Sequence, residues 1–281
     1  MRIVGVHGVG NYQPGQSAKD ASARLTGIWR RHLARGPGGA LMTAAELTVA
    51  YYADHVQDED AQGEDVDLDD LPDDAEHLVR LWLEELGLPD EEDQGPGTWP
   101  VRQALGWLAA RRRLSPQLVE RFVARFFGEV ATYLRSGSPA RDDARNAVAE
   151  VIARERPHVV IAHSLGSVVA YEALWARREH EVDLFLTLGS PLALPHAVFP
   201  RLAPAPADDA GERPPSVRRW VNIADLGDLV ALPVRGVSRY FHGVETDTHE
   251  TIHAFDFHLA ANYLASAAVG ETLTRWARGT A

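Results

Sequence analysis

The stretch VVIAHSLGSVVA at 159–170 constrains this chain more than any other. An apolar strand runs through a tight turn of small residues straight into the start of a helix, with Ser164 at the corner. A corner this sharp forces its central residue into a strained backbone conformation. It therefore needs small neighbours two positions before and after, here Ala162 and Gly166. The residue at the bend stands exposed at the edge of a sheet and at the positive end of a helix, where the N–H of Leu165 can donate to an oxyanion.

The rest of the chain supplies a sheet for that corner. Short apolar runs at 2–6, 47–52, 158–162, 183–188 and 217–223 read as buried strands, and all but the second are closely followed by Gly, Ser, Asn or Asp. Residues 17–35, 139–155 and 165–178 carry apolar side chains at helical spacing between them. Strand alternating with helix predicts an α/β fold with a mostly parallel sheet covered on both faces. At 281 residues and 45% hydrophobic content, one domain over 1–281 with an elaboration is expected.

The elaboration is 54–138, too long for a simple crossover. It opens on the acidic stretch DEDAQGEDVDLDDLPDD, expected as a solvated loop within 57–76, and passes through AEHLVRLWLEELGL and a Pro/Gly break at QGPGTWP. It closes in a helical pair. In the second helix Ser115 is placed as N-cap with Pro116 at the first position, and Leu118, Phe122, Phe126, Val130 and Leu134 share a four-residue spacing. Such a helix either docks on the core or forms a lid over an apolar site, in which case Phe122 and Phe126 would meet a substrate, with Trp99 and Trp107 upstream.

Composition removes several chemistries. There is no cysteine, which excludes disulfides, thiolate metal sites and a cysteine nucleophile. The net charge of −12 is local, since residues 57–94 hold 17 of the 40 acids and a single base, Arg80. No coherent basic stripe follows, so nucleic acid is not expected as a partner. No window approaches a membrane helix and no leader-like segment opens the chain, which reads as cytoplasmic and soluble. Neither HExxH nor a carboxylate–histidine cluster with ligand spacing is present, and neither metal nor cofactor is expected.

The amino terminus, IVGVHGVGNYQP, raises a choice between a phosphate cradle and a wall of an acyl-transfer site. A dinucleotide fingerprint needs glycine at 13 after Gly8 and Gly10, and Gln13 stands there. A strand ending in His7-Gly8-Val9-Gly10 instead lets the chain approach a substrate closely, and the N–H of Val9 is the candidate second donor for an oxyanion.

With HGVGN at 7–11, AHSLGS at 162–167, LGSPL at 188–192, WVNIADLGDLVALP at 220–233 and HLAANYL at 258–264, nearly the whole chain resembles the α/β-hydrolase superfamily, in particular small lipase- and esterase-like members. Ala162 stands where glycine is commoner, and the chain begins at what resembles the family's third strand, so a reduced sheet with a helical lid-like insertion is expected. The resemblance implies a cofactor-independent serine hydrolase cleaving an acyl ester through an acyl-enzyme, in the order Ser, acid, His. A serine hydroxyl needs an imidazole to take its proton and a carboxylate to orient that imidazole. Ser164 would be the nucleophile. Asp228, opening a turn similar to the acid-bearing D-x-V of lipases, is favoured over Asp225, a turn-former at a strand end. His258, ahead of a helix resembling the family's last, is chosen over His253 and over His249, which lies in ETDTHE, a polar stretch expected as an exposed loop; His163 is expected to turn its side chain away. The partner would be a small acyl substrate; an acyltransferase and a silent ligand-binding protein on the same scaffold are the alternatives.

Overall fold

The computed structural model describes residues 1–57, 68–87, 101–252 and 258–279. Six strands among them form one fully parallel sheet: β1 (Arg2–Val6), β2 (Glu46–Ala50), β3 (Val159–His163), β4 (Val182–Leu188), β6 (Val217–Asp225) and β8 (Val244–Glu250), in the order β2-β1-β3-β4-β6-β8. The remaining two strands, β5 (Gly211–Glu212) and β7 (Phe241–His242), pair with each other. The helices are α1 (Ala18–Arg35), α2 (Asp73–Glu85), α3 (Val101–Arg112), α4 (Pro116–Leu134), α5 (Pro139–Glu155), α6 (Leu165–Ala176), α7 (Gly236–Tyr240), α8 (Ala260–Leu264) and α9 (Ala267–Ala277). No helix among the described residues is long and apolar enough to cross a membrane.

Period-two alternation along the strands divides the core into two layers. Ile3, Ile161, Leu186 and Ile223 face Trp29 and Leu33 of α1 and Leu273 of α9. Val4, Val160, Phe185 and Trp220 face the other way, toward α5, α6 and the α2–α4 layer. Both faces of the central strands are buried, which is why they read as continuous apolar runs.

The connection from β1 runs to β2 on one side of the sheet, whereas that from β3 runs to β4 on the other. Chain segments therefore diverge above the carboxyl ends of β1 and β3, and such a divergence opens a crevice where ligands bind in open α/β sheets. Val6 is paired with Ala162 at the foot of that divergence. His7 and Ser164 leave from its two sides.

The structure departs from expectation in three places. ETDTHE is the edge strand β8 and not an exposed loop, and the side chain of His249 is 4% exposed. Its inward positions are polar: Asp247 accepts from Asn222 Nδ2 (2.8 Å) and from the Ser238 N–H (2.8 Å), so no apolar alternation marks the strand. Residues 58–67 of the acidic stretch lie outside the described residues; in the rest Leu68–Asp70 is a 3₁₀ turn and Asp73, Asp74 and Glu76 occupy the first turn of α2, where the helix dipole favours acids. On α4, Ser115 and Pro116 stand where expected, but Ser115 Oγ bonds Gln117 Oε1 (2.8 Å) and caps no N–H. Leu118 is 41% exposed, whereas Phe126 and Val130 are fully buried. Four-residue steps advance about 40° beyond a full turn each, so a stripe of that spacing winds off the buried face.

One polar cluster ties the layers together. Glu172 on α6, fully buried, accepts from Arg141 Nε (2.9 Å), the Tyr133 hydroxyl (2.7 Å) and the Ala203 N–H (3.0 Å). Removing one partner of a buried pair leaves the other charge desolvated and uncompensated. Glu172→Ala is therefore expected to lower the unfolding free energy by about 3–5 kcal/mol in a urea titration, and a loss below about 1 kcal/mol would show that Arg141 finds water instead.

Candidate active site

β3 ends at His163 and α6 begins at Leu165, so one residue makes the whole turn. That residue, Ser164, has φ 56° and ψ −134°, a conformation L side chains rarely adopt and one that costs about 1–3 kcal/mol. Its surroundings impose it. The Ser164 N–H donates to Leu188 O (3.0 Å), and Ser164 O accepts from the Ser167 N–H (2.9 Å) and hydroxyl (2.6 Å).

Two glycines make the corner possible. A Cβ on Gly166 would lie 2.2 Å from the His7 carbonyl oxygen and 2.6 Å from that of Val6, so α6 starts directly against the end of β1. A Cβ on Gly8 would lie 2.6 Å from the Cβ of Ser164. The turn after β1 is thus pressed onto the serine, as the HGVG pattern requires.

Ser164 Oγ is 2.7 Å from His258 Nε2, and His258 Nδ1 is 2.7 Å from Asp228 Oδ2. An ionised carboxylate only accepts, so Nδ1 carries the proton and Nε2 is left to accept from the serine. Asp228 has further donors: the Tyr263 hydroxyl on Oδ2 (2.7 Å) and the N–H groups of Val230 (2.9 Å) and Ala231 (3.3 Å) on Oδ1. Burial alone would raise its pKa; the neighbouring His258 and these hydrogen bonds outweigh it and hold the carboxyl below its usual value. Asp225 accepts from the Gly227 N–H (2.6 Å) and the Ile252 N–H (2.6 Å). His249 Nε2 accepts from the Arg235 N–H (2.9 Å) in the turn that precedes α7. His253 and Trp99 lie outside the described residues.

Contrary to expectation, His163 does not turn away. Its ring centroid is 4.8 Å from that of His258 and 5.6 Å from that of Tyr263. Burial, followed by the nearby His258, pushes its pKa well below the ordinary value, so it fills space as a neutral ring. His7 is neutral too, lowered by burial to about 4. Its ring stacks on Tyr52 (4.3 Å, 3°) with Nδ1 2.8 Å from Gly8 O and Nε2 accepting from the Tyr52 N–H (3.3 Å).

Val9 is half-buried in the turn after β1 and Leu165 is the first residue of α6; among the described residues neither backbone N–H has a hydrogen-bond acceptor. Phe122 and Phe126 reach the site from α4, each with its ring edge-on to His258, at 5.3 and 6.1 Å between centroids. Contrary to the exposure expected of the corner, the site is closed, with Ser164 0% exposed, Asp228 2% and His258 7%, because the turn after β1 and the rings of α4 cover it. A cavity of about 270 Å³ lies elsewhere, between the sheet and α9, lined by Leu184, Arg219, Glu245, Arg275 and Trp276 among others.

Three residues of the site carried no signal in the sequence. Tyr263 bridges Asp228 and the Asp225 N–H (2.8 Å), Tyr52 donates its hydroxyl to His7 O (2.8 Å), and Glu129 on α4 accepts from the Gly10 N–H (2.7 Å). The chain matches no protein-family profile, and searches of curated proteins and of solved structures return no match. The chemistry open to the site follows from its atoms: a hydroxyl able to pass its proton to a neutral imidazole, an imidazole oriented by a carboxylate, and backbone donors nearby.

The glycine contacts separate fold from packing. Gly166→Ala places a methyl group against backbone that cannot rotate away and is expected to cost more than about 2 kcal/mol on urea unfolding. Gly106→Ala, in α3 with nothing within 4 Å, should instead gain about 0.5–1 kcal/mol. Equal effects at the two positions would contradict the close approach of α6 to β1.

Proposed function

We propose that the chain is a serine hydrolase of the α/β-hydrolase type that cleaves an acyl ester through an acyl-enzyme. The observation that carries this reading is the pair of 2.7 Å contacts linking Ser164 Oγ, His258 and Asp228, from three separate segments in the order serine, acid, histidine. The parallel sheet with Ser164 at the divergence of β1 and β3 supports it, as does the order of the motifs.

In this reading Ser164 Oγ attacks the ester carbonyl carbon while its proton passes to His258 Nε2. The carbonyl π pair becomes an oxyanion received by the N–H groups of Val9 and Leu165, the latter at the positive end of α6. Asp228 stabilises the imidazolium through Nδ1–H. Collapse of the intermediate expels the alcohol, which takes the proton from Nε2 and leaves the acyl group on Ser164. Water, deprotonated by the same nitrogen, then attacks the acyl-enzyme; the acyl–Oγ bond breaks, Ser164 Oγ takes the proton back from Nε2 and the acid leaves. Asp228 is already ionised and fully hydrogen-bonded, so no reorganisation accompanies the charge on His258.

Wild-type protein should label with a fluorophosphonate and hydrolyse p-nitrophenyl esters, and Ser164→Ala should abolish both. His258→Ala should be nearly as damaging and Asp228→Asn should lose about 10⁴-fold in kcat, with Asp225→Asn far less affected. Unchanged hydrolysis in Ser164→Ala would sink the mechanism.

Phe122 and Phe126 give the site an apolar wall on the His258 side, which favours an acyl chain over acetate. Each buried methylene is worth about 0.8 kcal/mol, so kcat/KM should rise from acetate to octanoate and the rise should flatten in Phe122→Ala. A profile that declines with chain length in both proteins would assign the two rings to packing alone.

A further inference from the structure

The turn after β1 is tied at every peptide around Val9. The Gly8 carbonyl accepts from Asn11 Nδ2 (2.9 Å) and faces His7 Nδ1 (2.8 Å). A trans peptide is planar, so fixing that carbonyl also fixes the opposite direction of the Val9 N–H. The Val9 carbonyl accepts from the same Asn11 amide (3.1 Å), and the N–H at the other side of that peptide, on Gly10, donates to Glu129 Oε1 (2.7 Å).

These ties are not equivalent. Asn11 and His7 belong to the turn and would move with it. Tyr52, which donates to His7 O, and the contact of Gly8 with Ser164 fix the amino-terminal side of the turn to the sheet. On the far side the Gln13 N–H donates to the Tyr51 hydroxyl (3.1 Å), and at the peptide next to Val9 the hydrogen bond from another element comes from Glu129. Gly10 there has φ +73°, a conformation glycine enters and leaves at little cost, so the peptide before it is free to rotate unless held. One helical turn earlier on α4, Arg125 closes over the same glycine, with its Cδ 3.0 Å from where a Cβ would lie.

We propose that Glu129 is the positioning residue of the oxyanion-binding turn, holding the Val9–Gly10 peptide from α4 so that the Val9 N–H stays aimed at the carbonyl oxygen of a substrate on Ser164. The assignment rests on the reading of the site as an acyl-transfer centre. The groups around the carboxyl are Arg125 on its own helix and Tyr51 and Tyr52 after β2. Burial pushes the carboxyl up to about 7, against the opposing effects of the Gly10 N–H and Arg125. Protonated or not, it offers Gly10 an oxygen acceptor. The geometry thus requires an acceptor at this place, and a glutamine amide oxygen meets the requirement.

A ligand pair isolates the oxyanion. A long-chain trifluoromethyl ketone accepts Ser164 Oγ at its carbonyl carbon, the serine proton passing to His258 Nε2 and the carbonyl π pair becoming a hemiketal oxyanion. The matching secondary alcohol fills the same space and forms no adduct. Wild type should bind the ketone at least about 10²-fold more tightly than the alcohol. Glu129→Met keeps the length of the side chain and removes the acceptor; it should lose about 10- to 100-fold of that ratio with the Kd of the alcohol nearly unchanged. Glu129→Gln should keep the ratio within about 3-fold of wild type. Thermal unfolding establishes that each variant is folded, and Glu129→Ala replaces the methionine variant should that one fail.

An unchanged ratio in the variant lacking an acceptor overturns the assignment, as does equal weakening of ketone and alcohol, which marks a structural role, or a glutamine variant as impaired as the methionine one. Absence of a Ser164-dependent preference for the ketone in wild type overturns the acyl-transfer reading and the assignment together. Loss of the preference in Ser164→Ala combined with its persistence in Glu129→Met overturns the assignment alone.

Discussion

The contact on which the rest of this structure depends is a backbone one, the approach of the first turn of α6 to the carbonyl end of β1. Gly166 lies so close to the His7 and Val6 carbonyl oxygens that no side chain fits between them. That closeness allows a strand to become a helix through Ser164 alone, and it presses the turn after β1 against the same serine. Corner and turn are two sides of one packing requirement. Strain at Ser164, of the order of 1–3 kcal/mol, is sustained because the parallel sheet, the α6 helix and the hydrogen bond to Leu188 all hold the corner in place.

A second layer of control comes from α4. The helix places Phe122 and Phe126 edge-on against His258, and two turns of its other flank, Arg125 and Glu129, against Gly10. Imidazole and proposed oxyanion turn thus share one support. The layer is itself anchored over the loop that carries Asp228, because Trp82 of α2 packs on Phe127 and donates its indole N–H to Leu229 O (2.6 Å).

Local features were legible in the sequence, and long-range ones were legible only where a local pattern announced them. The strands at 2–6 and 183–188 and the helices at 17–35 and 139–155 stand within a residue of expectation, because both-sided burial and apolar periodicity write themselves into contiguous residues. Ser164 was visible for the same reason, as strand, turn and helix lie within 12 residues of chain. Spacing could not rank the histidines, since His258 meets Ser164 across 94 residues. Nor could it reveal Tyr263 or Glu129, each a polar side chain on a helix that reads as an ordinary surface position. β8 escaped because its inward residues, Asp247 and His249, are polar and are held by hydrogen bonds to Asn222, Ser238 and Arg235, so no apolar alternation announces the strand.

Ser164 has no exposed surface. Any molecule that reaches it meets only the fraction of the population in which part of the surrounding wall has moved, so its apparent affinity is the intrinsic one scaled by that fraction. Phe122 and Phe126 of α4 belong to that wall, so the stiffness of the α2–α4 layer enters that fraction. Two ligands with identical contacts to the serine would be ranked by how much of the wall each must displace, and a substitution far from the site that softens the layer would favour the one that displaces more of it. Selection at such a closed site is exercised at admission, before any contact with the serine is made.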